Sequence, residues 1–213
     1  NEAKVAPWFC MPHWADDDWV RSYAQAVKKN LDPHRKVYIE HSNEVWNAIF
    51  PAFHFALEQA RKDPERFRLA DGDFTALVNY HSARSVQIFK IWEEVFGGPE
   101  RLVRVMGAWA AVDWTSQALL AFEDARAHTD AVAIAPYFGG DLGHGDEAVR
   151  ASGLTLDALF AELERKAIPQ AIEMVGKHKA HTSAAGVRLI AYEGGQHLVG
   201  VGPALDDARL NAL

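Results

Sequence analysis

The feature that most constrains the fold is an alternation of short apolar runs, rich in β-branched residues, with longer segments of helical period. Five such runs predict strands, and they occupy residues 4–12, 36–42, 101–110, 130–138 and 187–195. No hairpin signal joins neighbouring runs. Because parallel strands need long crossover connections, this order predicts an α/β fold with a parallel sheet and connecting helices.

Two folds fit this pattern, the open doubly wound sheet and the eight-stranded (β/α)8 barrel of TIM-barrel type. The nucleotide-binding form of the open sheet is disfavoured, because neither G-x-G-x-x-G nor G-x-x-x-x-G-K-[ST] follows the first strand. Residues 155–185 predict one or two helices that break near Pro169. The glycine-rich stretch 139–153 predicts a flexible loop.

Composition limits the classes of partner and suggests a single domain over residues 1–213. The chain has 49% hydrophobic and 24% charged residues, and a formal net charge of −7. Such a charge does not favour nucleic acid or an anionic membrane surface. No apolar run of about 18 residues predicts a membrane span. Cys10 is the only cysteine, which excludes an internal disulfide and a cysteine-rich zinc site.

Polar and aromatic side chains follow each predicted strand, where a parallel barrel places its chemistry. These side chains suit the binding of a sugar, and we expect them to line one carbohydrate site. They are His13, Asn43, Glu44, Trp46, Trp109, Tyr137, Glu193, Gln196 and His197.

Two of these residues, Glu44 and Glu193, are carboxylates, and a pair of carboxylates is what hydrolysis of a glycosidic bond needs. One carboxyl must protonate the leaving oxygen, while the other must face the anomeric carbon in its ionised form. The two residues lie far apart in the sequence. They can meet only if the sheet closes or curls, which favours the barrel over the open sheet.

The stretches SNEVWN (residues 42–47) and LIAYEGG (residues 189–195) resemble the clan A glycoside hydrolases. Those enzymes are (β/α)8 barrels with an Asn-Glu pair at the end of the fourth strand and a second Glu at the end of the seventh. The resemblance implies that Glu44 is the acid/base and Glu193 the nucleophile. It also implies that Asn43 bonds the 2-hydroxyl of the substrate.

The same resemblance implies roles for two further residues. Tyr137, in APYF, would close the sixth strand of the barrel and orient Glu193. His13 would end the third strand within the sugar site. The chain resembles strands three to seven, so we expect an incomplete barrel that is a fragment of a longer protein.

The activity implied is a retaining hydrolysis of β-linked plant or microbial polysaccharide or oligosaccharide by double displacement. It implies a carbohydrate substrate, no cofactor and no metal, and this substrate class suggests a secreted or periplasmic protein. The alternative is a non-catalytic carbohydrate-binding barrel domain, and a third reading is an unrelated parallel α/β domain. A serine hydrolase is disfavoured because no G-x-S-x-G elbow occurs.

Each residue also has a purely structural reading. Glu44 could be a helix N-terminal carboxylate, Glu193 a turn residue and Tyr137 a packing residue. His41 lies within a predicted strand, so we expect its ring to be packed in the interior. The acidic run 16–18 predicts a helix cap. The acidic groups of residues 141–147 indicate a solvated loop. In both segments these interpretations are favoured over a metal site.

Overall fold

The computed structural model describes residues 4–209, which adopt an α/β fold. Contacts divide the chain into two compact units. Unit 1 contains the described residues up to Ile134 together with His178–Ile190. Unit 2 contains Ala135–Lys177 and the described residues from Ala191 onward. No helix among residues 4–209 is both long and apolar enough to cross a bilayer.

The strands form a five-stranded sheet and a two-stranded sheet. Their bounds are β1 Trp8–Met11, β2 Val37–His41, β3 Leu102–Gly107, β4 Ala131–Ile134, β5 Tyr137–Phe138, β6 Arg188–Ala191 and β7 Gly195–Gln196. The larger sheet has the order β1-β2-β3-β4-β6, and the neighbours from β1 to β4 are parallel. In unit 2, β5 pairs in parallel with β7.

Seven α-helices accompany the strands within residues 4–209. Their bounds are α1 Asp17–Asn30, α2 Pro51–Ala60, α3 Asp73–Phe96, α4 Trp114–Ala121, α5 Gly145–Ala151, α6 Leu156–Glu162 and α7 Ile168–Ala185. Local chemistry fixes several ends. The Asp16 side chain accepts a hydrogen bond from the Trp19 amide and so caps α1. Pro51 opens α2, and α3 ends at Gly97, whose φ of 85° few other residues adopt.

The predicted parallel α/β architecture is confirmed, and each of the five apolar runs contains a strand. The run 130–138 holds two short strands, β4 and β5, because Pro136 cannot donate to a ladder. A closed barrel is not shown among residues 4–209, where the five-stranded sheet has β1 and β6 as its edges.

The prediction of a flexible loop over residues 139–153 was wrong. A 3₁₀ turn at Gly140–Gly143 and helix α5 occupy most of this stretch. The apolar residues of the stretch explain the difference, because they are buried in a cluster with α6 and the turn that follows it. The cluster consists of Leu142, Ala151, Leu159, Leu163 and Ala167.

The break predicted near Pro169 takes the form of a change of helix type. A π-helical turn, Leu163–Ala167, joins α6 to α7, and Pro169 is the second residue of α7. The wider π turn accommodates the missing N–H of the proline, so the chain continues in the same helical run.

The core of unit 1 lies between the sheet and its helices. Trp92 and Phe89 of α3 are fully buried, as are Ile39 of β2 and Met106 of β3. Alternation along β2 sends Val37, Ile39 and His41 into this core, because successive side chains of a strand point to opposite faces.

The other face of the sheet carries a buried carboxylate, Glu40, at the boundary between β1, β2 and β3. Its Oε2 accepts a hydrogen bond from Trp8 Nε1 at 2.9 Å. The Trp8 ring also stacks on Tyr38 with centroids 5.2 Å apart. Gly107 leaves room for this carboxylate, because a Cβ atom there would lie 2.6 Å from Glu40 Oε1. Desolvation and the adjacent Glu40 raise the pKa of the Cys10 thiol to about 12, although part of the cysteine is exposed.

Candidate functional site

The segment that follows β2 leaves the strand through two residues in the left-handed region. Ser42 has a φ of 60° and Glu44 a φ of 46°. Such angles are uncommon for residues other than glycine and are concentrated at functional sites. The Ser42 amide still donates to the Met11 carbonyl at 2.7 Å, so the turn begins directly at the sheet. Asn43 and Glu44 therefore do not follow the strict alternation of a strand.

Hydrogen bonds centred on Asn47 hold this turn in one conformation. The Asn47 amide donates to the Glu44 carbonyl at 2.9 Å, and Asn47 Nδ2 donates to Glu44 Oε2 at 2.8 Å. Asn47 Oδ1 accepts from the Ile49 amide at 3.2 Å. Val45 is buried, whereas Glu44 is half-buried and Asn43 is exposed. The turn thus holds one carboxylate at the surface by a bond to one of its oxygens.

Aromatic side chains continue from this turn, and we call Trp46, Trp109, Phe74 and Trp114 the aromatic row. Trp46 and Trp109 are stacked, with centroids 5.2 Å apart and planes at 4°. Phe74 contacts both Trp109 and Trp114. The buried Nε1 of Trp46 has no hydrogen-bond partner in the described part of the chain, so stacking holds this ring. Flat, half-exposed indoles are surfaces on which sugar rings can stack.

The loop after β3 positions Trp109 through a threonine of α4. Trp109 N donates to Thr115 Oγ1 at 3.1 Å, and that hydroxyl donates to the Val112 carbonyl at 2.7 Å. Thr115 is itself buried. These two hydrogen bonds therefore fix the backbone at Trp109.

In unit 2, the paired segments β5 and β7 bring together three of the predicted site residues. Tyr137 pairs with Gly195 and Phe138 with Gln196. The Tyr137 ring contacts the His197 ring with centroids 5.1 Å apart. Tyr137 is 38% exposed, so its ring is not a core residue.

Glu193 lies two residues after β6 and two residues before Gly195. Its side chain is exposed, and it makes no hydrogen bond or ion pair within the described part of its own unit. Gly194 passes close to Pro136, because a Cβ atom at Gly194 would lie 3.2 Å from the proline ring. The expectation that Tyr137 orients Glu193 stays a prediction.

His13 lies in a groove of about 970 Å³ on unit 1 that Asn43, Glu44, Trp46 and Trp109 do not line. Its ring contacts Trp14 and Phe55. Partial desolvation lowers the pKa of His13, which favours a neutral ring. The arginines and the lysine along the groove are paired with acidic side chains, as in Arg84 with Asp17.

Two residues of the site were not singled out by sequence reasoning. Asn47 carries a signal, because an amide three residues after a turn residue can reach back to it. Phe74 carried no such sequence signal, because it lies in the first turn of a long predicted helix. The prediction that His41 is packed is confirmed, because the residue is buried. Among residues 4–209, no three histidine, cysteine or acidic side chains converge as metal ligands would.

No protein-family model matches this chain, and no curated protein and no solved structure matches it.

Proposed function

We propose that the chain is the catalytic part of a retaining glycoside hydrolase that cleaves β-linked polysaccharide or oligosaccharide. One observation carries this proposal. Glu44 stands in a left-handed, hydrogen-bonded turn at the end of a parallel strand, and the same turn supplies Trp46, which stacks on Trp109 from the end of the next strand. A carboxyl group beside a flat aromatic surface is a combination that suits acid catalysis on a sugar.

The order of the strands supports a (β/α)8 barrel as the fold of this domain. Strands β1 to β4 are neighbours in chain order, without the reversal that defines the switch point of a doubly wound sheet. One face of the sheet packs against helices. On the other face, Trp8 and Tyr38 are partly buried and Cys10 is exposed, whereas Glu40 and Val105 are buried. A barrel has helices on one face only, because its other face forms the interior.

In the proposed reaction, Glu44 donates a proton to the leaving oxygen while the Glu193 carboxylate attacks the anomeric carbon. The glycosidic bond breaks and an ester to Glu193 forms. Glu44, now ionised, then takes a proton from water, and the resulting hydroxide displaces Glu193. Two inversions at one carbon return the β-configuration.

The proposal assigns the binding of sugar to the remaining candidates. The aromatic row would form stacking subsites, and Asn43 would bond a hydroxyl near the cleaved linkage. Tyr137 would orient Glu193, with Gln196, His197 and His13 further out in the substrate cleft. The chemistry requires no cofactor.

The proposal is tested with soluble β-glucan, β-mannan and β-xylan, by following new reducing ends. We expect turnover on at least one polymer, a loss of about 10²- to 10⁴-fold in Glu44→Gln and a larger loss in Glu193→Gln. Glu164→Gln, at an exposed carboxylate of the π turn, is the matched control and should retain full activity. Proton NMR of the first product should show the β-anomer, whereas the α-anomer would contradict a retaining mechanism.

A non-catalytic carbohydrate-binding domain is the second candidate. The observation in its favour is Glu193, which is exposed and has no partner within the described part of its unit. Glu193→Gln separates the two candidates when binding and turnover are both measured. A binding domain would keep its affinity and show no turnover before or after the change, whereas the enzyme would lose turnover and still bind.

A further inference from the structure

The loop that carries Trp109 is tied to a histidine of α7 by a contact that the proposed reaction does not use. His178 is fully buried, and its Nε2 lies 2.9 Å from the Ala110 carbonyl oxygen. Its Nδ1 lies 2.6 Å from Ser116 Oγ, in the first turn of α4. All of these groups belong to unit 1. One imidazole ring therefore bridges the loop after β3 and the helix that follows this loop.

The partners of the ring fix its tautomer. A carbonyl oxygen only accepts hydrogen bonds, so Nε2 of His178 must carry the proton that is donated to Ala110. The other nitrogen of a neutral imidazole is then an acceptor, so the Ser116 hydroxyl donates to Nδ1. Burial lowers the pKa of His178, which favours this neutral ring. Each nitrogen thus binds a different element, Nε2 the loop and Nδ1 the helix α4.

The other hydrogen bonds at Trp109 are local. The Trp109 amide donates to Thr115 Oγ1 at 3.1 Å, and the Trp109 carbonyl accepts from the Val112 amide at 2.9 Å. These bonds give the loop its shape, but both partners belong to the loop or to α4 and would move with it. His178 lies 68 residues from Ala110 in the sequence, so its bond ties the loop to a separate element.

A second histidine of α7 contacts the same loop, but at the surface. His181 Nε2 lies 2.8 Å from Asp113 Oδ2, and both side chains are partly exposed. Solvent weakens ion pairs in such positions. Loss of the bond from His178 would instead remove the donor from the carbonyl of the buried Ala110, which is the more costly change.

We infer that His178 is a positioning residue for Trp109, and that its bond to the Ala110 carbonyl holds the Trp109 ring against Trp46. This inference rests on the proposed function, in which Trp109 forms part of a sugar subsite. The two indole planes are at 4°, so a small displacement of the loop would disturb the surface that they form. The bond to Ala110 should therefore affect affinity for sugar, whereas the bond to Ser116 should affect stability alone.

Two substitutions at position 178 separate the two bonds. The side-chain amide of asparagine reaches the place of Nδ1, so His178→Asn keeps an acceptor for Ser116 and loses the donor to Ala110. The longer amide of glutamine reaches the place of Nε2, so His178→Gln keeps that donor and loses the acceptor. We expect the affinity for a β-linked hexasaccharide to fall about fivefold in His178→Asn and to stay within about twofold in His178→Gln.

Titration calorimetry in Glu193→Gln protein measures these affinities without turnover, with hexasaccharides of β-glucan, β-mannan and β-xylan. Ser116→Ala is the matched control, because it removes the other bond of the same ring, and it should bind as its parent does. Equal losses of affinity in His178→Asn and His178→Gln would show that the ring acts through packing and would overturn the inference. If His178→Asn does not fold, His178→Leu also lacks the donor and should show the same fivefold loss.

A readout that needs no sugar separates this inference from the proposed function. Fluorine NMR of protein labelled with fluorotryptophan follows Trp109, which is assigned as the signal missing from Trp109→Phe. We expect His178→Asn to displace this signal and His178→Gln to leave it in place. An undisplaced signal in His178→Asn overturns the role of His178, even in a protein that binds sugar. A displaced signal in a protein that binds none of the three hexasaccharides supports the positioning role and refutes the sugar-binding proposal instead.

Discussion

The segments that carry the two proposed catalytic carboxylates are built differently. After β2, Glu44 is half-buried in a turn closed by side-chain and backbone bonds to Asn47. After β6, Glu193 is exposed and has no partner within the described part of its own unit. The first segment carries its own preorganisation. The second has no such bonds within the described part of unit 2, so substitutions around it should affect chemistry more than folding.

The same contrast separates the polar groups of the two units. In unit 1, Arg104 lies mostly buried and bonds both Asp130 and Glu93. In unit 2, Arg150 also bridges two carboxylates, Glu147 and Glu162, but its guanidinium group is exposed to solvent. Buried charges are costly to leave unpaired, whereas exposed pairs contribute little because solvent screens them. Unit 1 should therefore respond more strongly to loss of a charge.

The largest effect should come from truncating the two carboxylates and adding azide. Glu193→Ala should lose more than about 10⁴-fold in turnover. Azide should restore part of the rate, because this small anion can occupy the space of the lost nucleophile. A single displacement gives the α-glycosyl azide for Glu193→Ala, whereas Glu44→Ala should give the β-product after two displacements. NMR of the products distinguishes them, and identical anomers from both variants would refute the assigned roles.

Removal of the buried arginine should have the next largest effect. Arg104→Met leaves Asp130 and Glu93 without their shared cation, and we expect the free energy of unfolding to fall by about 3 kcal/mol. Urea denaturation followed by circular dichroism measures this change. Arg150→Met is the matched variant in unit 2 and should leave the urea midpoint unchanged. Equal losses in the two variants would remove the contrast between the units.

A buried pair of histidines should make stability depend on pH. His41 Nδ1 lies 3.0 Å from His81 Nδ1, and both rings are buried. Burial lowers the pKa of His81 from 6.5 to about 4 and that of His41 well below its usual value. Because the pKa of these histidines is lower in the folded protein than in the unfolded chain, the unfolded chain binds more protons between pH 6.5 and about 4. The stabilisation from neutral His81, about 3 kcal/mol, is therefore present above pH 6.5 and lost as the pH falls towards 4.

Urea denaturation between pH 7.5 and 4.5 tests this dependence. The double variant His41→Phe with His81→Phe keeps an aromatic pair and leaves neither ring with a lost partner, so its stability should fall less steeply over this range. His34→Gln, at an exposed histidine, should behave as the wild type does. If the free energy of unfolding falls equally with pH in the wild type and the double variant, the histidine pair does not contribute to the pH dependence of stability.

The smallest effect should be at the aromatic row. Trp109→Ala removes the ring on which Trp46 stacks, and we expect affinity for a β-linked oligosaccharide to fall about tenfold. Trp19→Ala, on the surface of α1, is the matched control and should bind normally. Isothermal titration calorimetry with the Glu193→Gln protein gives both affinities without turnover. Unchanged binding in Trp109→Ala would exclude the row as a sugar subsite.

The sequence predicted the strands well because their side chains alternate or form continuous apolar runs, as in β2 with Val37, Ile39 and His41 inward. Helix α5 was missed because glycines dominate its flanks, while the burial of Ala148 and Ala151 that stabilises it is a tertiary effect. Asn43 was assigned a contact with the substrate through the resemblance to clan A, and that assignment stays a prediction. Asn47 was missed because its bond to Glu44 depends on the positive φ angles of Ser42 and Glu44, which no sequence pattern encodes.

The close approach of Gly107 to Glu40 has an evolutionary consequence. Any side chain at position 107 would meet the Glu40 carboxylate, which Trp8 also holds in place. A side chain at position 107 would require the Glu40 carboxylate to move away from Trp8, so it is accommodated most easily once residue 40 has become smaller. The order of mutations is thereby constrained, and descendants of this sequence should show the two positions changing together.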